Sequence, residues 1–208
     1  MTQVDLRGAE EHYKKFCECL GIDLDRPDTK DTAKRVVRMM YNDFLVGTRE
    51  PDFTFTTFPA EGSDQLVAIP GIRVVSICAH HHLPIQGIAH VCYLPKDTLV
   101  GLSKIPRVVQ WIARQPTMQE HIINRIVEYI SRMLTPRFIG VSMVGEHTCM
   151  SCRGVNEYGS LTVTNKFWVS PEEVDAKGDQ LTLEDFDSTK QEFLQAINMW
   201  HQTKTLSH

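Results

Sequence analysis

Residues 66–95 read LVAIPGIRVVSICAHHHLPIQGIAHVCYLP. β-Branched side chains run through 66–77, interrupted by Pro70-Gly71, and a second such run fills 88–94. These side chains suit a pleated, half-buried backbone, so two strands are predicted, with a Cys/His-rich stretch between them. Downstream the apolar period changes. Ser103 opens a short helix to about Arg114, with Pro106 tolerated in the first turn. A longer helix spans 117–134, with Ile122, Ile123, Ile126, Val127, Ile130 and Met133 on one side and Pro136 as its stop. Strands follow at 138–147 and 160–168. Upstream, the alternation FTFTTF predicts a strand at 53–58. Before it come helices at 8–21 and 29–46, the second capped by Asp28 and each ended by a glycine, Gly21 and Gly47. Helices, strands, helices, strands in that order predict an α+β fold with an antiparallel sheet.

The chain has 208 residues, 42% hydrophobic and 23% charged, which is ordinary for a globular protein. It reads as a single domain in three parts: an N-terminal helical segment (1–50), a central catalytic domain (51–170), and an acidic linker with a C-terminal helix (171–208). The stretch 171–187 is turn-rich and carries Glu172, Glu173, Asp175, Asp179, Glu184, Asp185 and Asp187, so it is expected to be exposed. The last helix is predicted over 188–200, with Phe193, Leu194 and Ile197 on its apolar side. Against 26 Asp+Glu stand 22 Lys+Arg. A net charge of −4 argues against a nucleic-acid or anionic-membrane binder. No window reaches the roughly 18 uncharged apolar residues of a membrane span. The polar start, Met1 to Glu11, lacks a secretory core, so a cytoplasmic protein is expected, and the six cysteines read as thiols or metal ligands.

The chemistry concentrates at Cys78-Ala-His-His-His82 and at His147-Thr-Cys-Met-Ser-Cys-Arg153. An isolated histidine is an ordinary imidazole. Three in a row beside a cysteine, with a second Cys/His cluster downstream, point to zinc. Two arrangements compete. Cys78 and His81 with Cys149 and Cys152 make a closed, structural Cys₃His site. Cys78, His81 and Cys149 alone leave a position for water, with His80 and His147 as proton carriers. If 146–150 is extended, His147 and Cys149 share a face and Cys152 points away. Lys104 and Arg107 are three apart and share one helical face, and Arg153 and Arg35 add further cations. Together these suit a polyanion such as a triphosphate; separately they are solvated helix charges. Thr117-x-x-Glu120 is either a capping box or a carboxylate placed for a guanine edge, and Ser103 is either a helix cap or a hydroxyl contact to substrate.

Several motifs together resemble the GTP cyclohydrolase I family. They are SICAHHHLPIQGIAHVCYLP (76–95), GLSKIPR (101–107), QPTMQE (115–120) and HTCMSCRG (147–154), with DTAKR (31–35) upstream and STKQEFL (188–194) at the end. The resemblance, over roughly residues 9–200, implies a tunnelling fold: an antiparallel sheet with helices on one face, protomers closing into a barrel, and a homodecamer with interfacial active sites. It implies Zn²⁺ on Cys78, His81 and Cys149, with Cys152 unused. It implies that GTP is opened at its imidazole ring, giving 7,8-dihydroneopterin triphosphate and formate. His147 and His80 would move protons, Ser103 would contact the ribose, and Gln119 with Glu120 would fix guanine. Lys104, Arg107, Arg153 and Arg35 would hold the triphosphate, Arg35 on a neighbour's substrate. The sequence departs from the family at Ala79, where Glu is usual, at His82, where an apolar residue is usual, and at Ile88, where Lys is common. Ala79 and His82 motivate an alternative, a cyclohydrolase of the same fold for another purine nucleotide. Cys152 motivates a second, a non-catalytic structural-zinc protein that binds nucleotide.

Overall fold

A computed structural model describes residues 3–205; residues 1–2 and 206–208, the outermost parts of the two terminal segments, lie outside it. Helix α1 (Leu6–Cys19) starts where the Asp5 carboxylate accepts the Gly8 N–H at 2.8 Å. Helix α2 is shorter than expected, Thr32–Met39, and passes into a π-helical turn at Met40–Phe44. Asp28 does not cap it. The cap position is Asp31, which makes no side-chain cap bond, and Asp28 pairs with Arg26 at 2.8 Å.

The main sheet has the order β5-β2-β3-β6-β7. Its members are β2 (Val67–Cys78), β3 (Pro84–Leu94), β5 (Pro116–Thr117), β6 (Phe138–His147) and β7 (Thr162–Val169). Neighbours from β2 to β7 run antiparallel, and β5 adds a short parallel edge beside Cys78. Pro70-Gly71 does not break β2. A bulge between Ile69 and Ile72 absorbs it, with Gly71 at φ +79°. The FTFTTF strand does not form over 53–58. Only β1 (Thr57–Pro59) pairs, with β4 (Thr98–Val100), while Phe53 and Phe55 pack edge-on to Trp111 and Tyr129. Alternating aromatics marked inward-facing side chains there, but no neighbouring strand lies opposite 53–56.

Helices α3 (Lys104–Ala113) and α4 (Gln119–Leu134) cover one sheet face. Their Ile105, Val109, Ile122, Ile126 and Ile130 meet Val74, Val91, Tyr93, Val141 and Met143, all fully buried. Each such side chain contributes on the order of 2 kcal/mol of hydrophobic stabilisation. Helix α6 (Asp187–Thr205) reaches the opposite face, where Phe193 packs with Cys92, Leu94, Phe138 and Phe186. Burial pushes the Cys92 thiol far up, which keeps it an inert core residue. The acidic stretch before α6 is exposed over most of its length, as expected, and is tied down at two points. Glu173 is buried against Arg137 at 2.7 Å, and Phe186 belongs to the core.

The end of α6 rests on the bulge. The Trp200 ring lies so close to Gly71 that a Cβ there would come within 2.4 Å of it. His90, 1% exposed, accepts the Gly71 N–H on Nδ1 at 3.2 Å and stands edge-on to Trp200. Burial, with a smaller push from His201, lowers its pKa from 6.5 to about 4. The unfolded chain takes up this proton first. Stability from His90 is therefore complete above pH 6.5 and is lost as pH falls from there to about 4; the full loss is about 3 kcal/mol. Urea midpoints at pH 7.5 and 5 should fall less for His90→Gln than for the wild type; equal falls would remove His90 from the acid limb.

Candidate metal centre

The reversal from β2 to β3 builds the first half of the site. Cys78 N–H donates to Leu83 O at 2.8 Å and His82 N–H to Cys78 O at 2.9 Å, so 79–83 is one tight turn. His82 takes the left-handed conformation, φ +52°, that this turn requires. Ala79 N–H is held by Thr117 O at 3.1 Å on β5. Cys78 is thereby buried at the strand end, while His80 and His81 stand exposed on the turn.

The second half comes from the end of β6. The strand stops at His147, and Thr148–Ser151 form a single helical turn, α5. The strand ends at 147 as expected, and the condition of an extended 146–150 is not met: helical winding, not strand alternation, carries Cys149 to the site. Thr148 Oγ1 pins this turn to Pro84 O at 2.6 Å, and Ser151 Oγ to Glu146 at 3.1 Å. Cys78, His81 and Cys149 converge, with ligand atoms all within 4.8 Å of one another. Cys152 is exposed and stands outside this donor group, so the closed Cys₃His arrangement is not formed among the described residues.

The donor set fits a thiophilic divalent cation. Burial acts against ionising Cys78, but the backbone N–H groups and rings of His80 and His81 outweigh it, and its pKa falls to about 6. Its sulfur lies 3.7 Å from His80 Nδ1 and 3.8 Å from His81 Nδ1. Burial and the adjacent Cys78 sulfur raise the Cys149 thiol. Two thiols that resist ionising together, beside an imidazole, are groups a cation would relieve.

Around them the structure gathers several expected residues. His147 is half-buried, and its pKa is lowered by burial, with Glu120 opposing. Arg153 Nη1 reaches His81 Nε2 at 3.0 Å. Glu120 is exposed at the start of α4. The capping box does not form, because Thr117 belongs to β5 and Met118 occupies the cap position. Gln119 is fully buried, and its amide nitrogen donates to Met143 O, Thr162 O and Thr164 Oγ1.

Other expected residues lie elsewhere. Helix α3 starts beside Val100, whose N–H is bonded to Tyr93 Oη at 3.2 Å, and Tyr93 pairs with Val67 at the far end of β2. It ends near Gln115, whose carbonyl accepts from Ser76 Oγ close to Cys78. Ser103 and Lys104 are thus at the remote end of a 10-residue helix, with their backbone about 14–15 Å from its metal-side end, and Arg107, one turn in, is about 9 Å from it. Ser103 makes no cap bond. Arg35 is exposed on α2 beside Asp31.

The sequence profile of GTP cyclohydrolase I matches residues 9–182, so the whole of α6 lies beyond the match. GTP cyclohydrolase 1 of Lysinibacillus sphaericus is 40% identical over 168 residues, 79% of this chain and 88% of its own length. The enzyme of that name from Listeria monocytogenes is 39% identical over 166 residues, with the same shares. That of Carboxydothermus hydrogenoformans is 38% identical over 163 residues, 78% of this chain and 85% of its own. Among solved structures, the archaeosine synthase QueF-Like in its apo form has a TM-score of 0.41 at 14% identity, covering 50% of this chain and 94% of that one.

Proposed function

We infer the function from one premise: this chain belongs to the GTP cyclohydrolase I family. It is a GTP cyclohydrolase I, a hydrolase acting on the imidazole ring of GTP. In our reading the products are 7,8-dihydroneopterin triphosphate and formate. The observation that carries the reading is the convergence of Cys78, His81 and Cys149, with His80 against Cys78 and His147 two residues before Cys149 in the chain.

Those three side chains would hold Zn²⁺, with Cys152 left out of the set. When bound, the ion supplies the Lewis acidity that makes water a nucleophile at neutral pH. The rest falls to side chains. His147 protonates the purine nitrogen next to carbon 8, which makes that carbon electrophilic. His80, exposed on the turn, carries protons during ring opening and near the ribose. Glu120 accepts the ring N–H and exocyclic amine of guanine. Arg153, Lys104, Arg107 and Arg35 hold the triphosphate by charge-assisted hydrogen bonds, and Ser103 meets the ribose.

One protomer does not bring all of these together. The remoteness of the α3 N-terminus from the metal end supports an active site completed by a neighbouring copy, in a homo-oligomer that we take to be a decamer. Among the described residues no helix is long and apolar enough to cross a membrane. Purified, zinc-loaded protein is expected to release formate from GTP, with the pterin triphosphate confirmed by mass. A preference for dGTP or ATP over GTP in the same assay would overturn the assignment of substrate.

A further inference from the structure

Gln119 sits where Gly145 leaves room for it: a Cβ at 145 would come within 2.6 Å of Gln119 Oε1. Its amide can point only one way. The nitrogen faces two carbonyl oxygens, Met143 O at 3.2 Å and Thr162 O at 2.9 Å, which accept and never donate. The Oε1 atom is therefore the end that lies 3.0 Å from His147 Nε2. A carbonyl oxygen offers no proton, so a hydrogen bond at this distance requires the proton on Nε2. Rotating the amide would set its N–H₂ against His147 and leave an acceptor facing two acceptors in a buried site, an arrangement costing about 1–3 kcal/mol per unpaired group.

We propose that Gln119 is a positioning residue: it holds the His147 proton on Nε2 and leaves Nδ1 as the nitrogen that exchanges a proton with the nucleotide. The assignment of the ring rests on geometry alone, and its catalytic consequence rests on the function proposed above. In the acid step a proton leaves Nδ1 for the purine nitrogen, and the neutral ring that remains is the Nε2–H form that Gln119 already holds. No reorientation of the imidazole is then needed during turnover, which is the advantage of a preorganised acid. Thr164 and the carbonyls of β6 and β7 fix Gln119 in turn, so the ring nitrogen is chosen by the sheet rather than by solvent.

The test uses the full-length, zinc-loaded protein labelled with nitrogen-15 at histidine, with the His147 signals assigned by their loss in His147→Asn. Wild type and Gln119→Glu, whose buried carboxyl stays neutral with its O–H toward the two carbonyls and its C=O opposite Nε2, are expected to show the Nε2–H form. Gln119→Met is expected to show a mixture of both tautomers. Its kcat should fall about 100-fold, the scale of one general acid, with zinc content and KM for GTP unchanged. An Nδ1–H signature in the wild type would overturn the proposal, as would an unaltered kcat in Gln119→Met with its tautomers mixed. Should Gln119→Met not fold, the wild-type and Gln119→Glu spectra decide the ring assignment. The expected tautomers in a protein that releases no formate from GTP would leave the ring assignment standing and remove the proposed activity.

Discussion

Cys149→Ala should abolish zinc binding and turnover together. Cys149 is one of only three converging donors among the described residues, and its loss leaves Cys78 and His81. Zinc bound through protein thiolates is held by roughly 10–16 kcal/mol in small zinc-folded peptides; removing one of three ligands takes away a large share of whatever the site supplies here. Cys149 is half-buried on the four-residue turn α5, which Thr148 Oγ1 and Ser151 Oγ anchor from either side, so the substitution should spare the fold. Metal content after dialysis and formate release are the two readings. Cys152→Ala is the matched control and should keep both, because Cys152 stands outside the donor group. Turnover that survives in Cys149→Ala would sink the metal role of this residue.

The second large effect is a gain. Cys149→Ala and Lys104→Ala should each be inactive or nearly so when pure, since one removes the metal and the other a phosphate-binding cation. Co-assembled in equal amounts, they should recover activity. Lys104 opens α3, whereas Cys149, on α5, belongs to the donor group near the other end of α3, so each active site would draw its metal half and its cationic half from different chains. Random mixing gives about a quarter of the sites both intact halves in a closed symmetric assembly. Recovery requires dissociation and reassembly, so subunits must be mixed before the oligomer forms. If mixing restores nothing while each variant forms the wild-type assembly, the site is complete within one chain and the interfacial reading fails.

The local rules served well where a segment's neighbours share its sequence region. The α4 stripe of Ile122, Ile126 and Ile130 follows from periodicity, because it buries one face against whatever lies opposite, and 138–147 forms a strand buried on both faces over most of its length. They failed where a long-range neighbour decides. FTFTTF alternates as a strand should, yet a strand exists only where β4 lies alongside it. Pro70-Gly71 carries every sign of a break, yet β3 and Trp200 hold the chain in register through a bulge. The capping box at Thr117 was a sound local pattern, displaced by pairing with Cys78 two strands away in sequence.

The group Cys78, His81 and Cys149 was legible as one of two competing arrangements, because soft ligands cluster in two short stretches, and the resemblance to the family implied that one. Gln119 was not: nothing in its neighbourhood announces that it is buried, and its partners Met143, Thr162 and Thr164 are at least 24 residues away. A glycine at 145, on the same strand face as His147, was the one available hint of a close approach. Residue types and spacing, by themselves, determined most of the helices and strands, a candidate metal-ligand group and the family, since propensity, periodicity and ligand softness are local properties. Tertiary structure alone decided which way the Gln119 amide points, and that the start of α3 stands away from the donor group of its own chain. Those facts depend on distances between segments far apart in the chain, which no local pattern encodes.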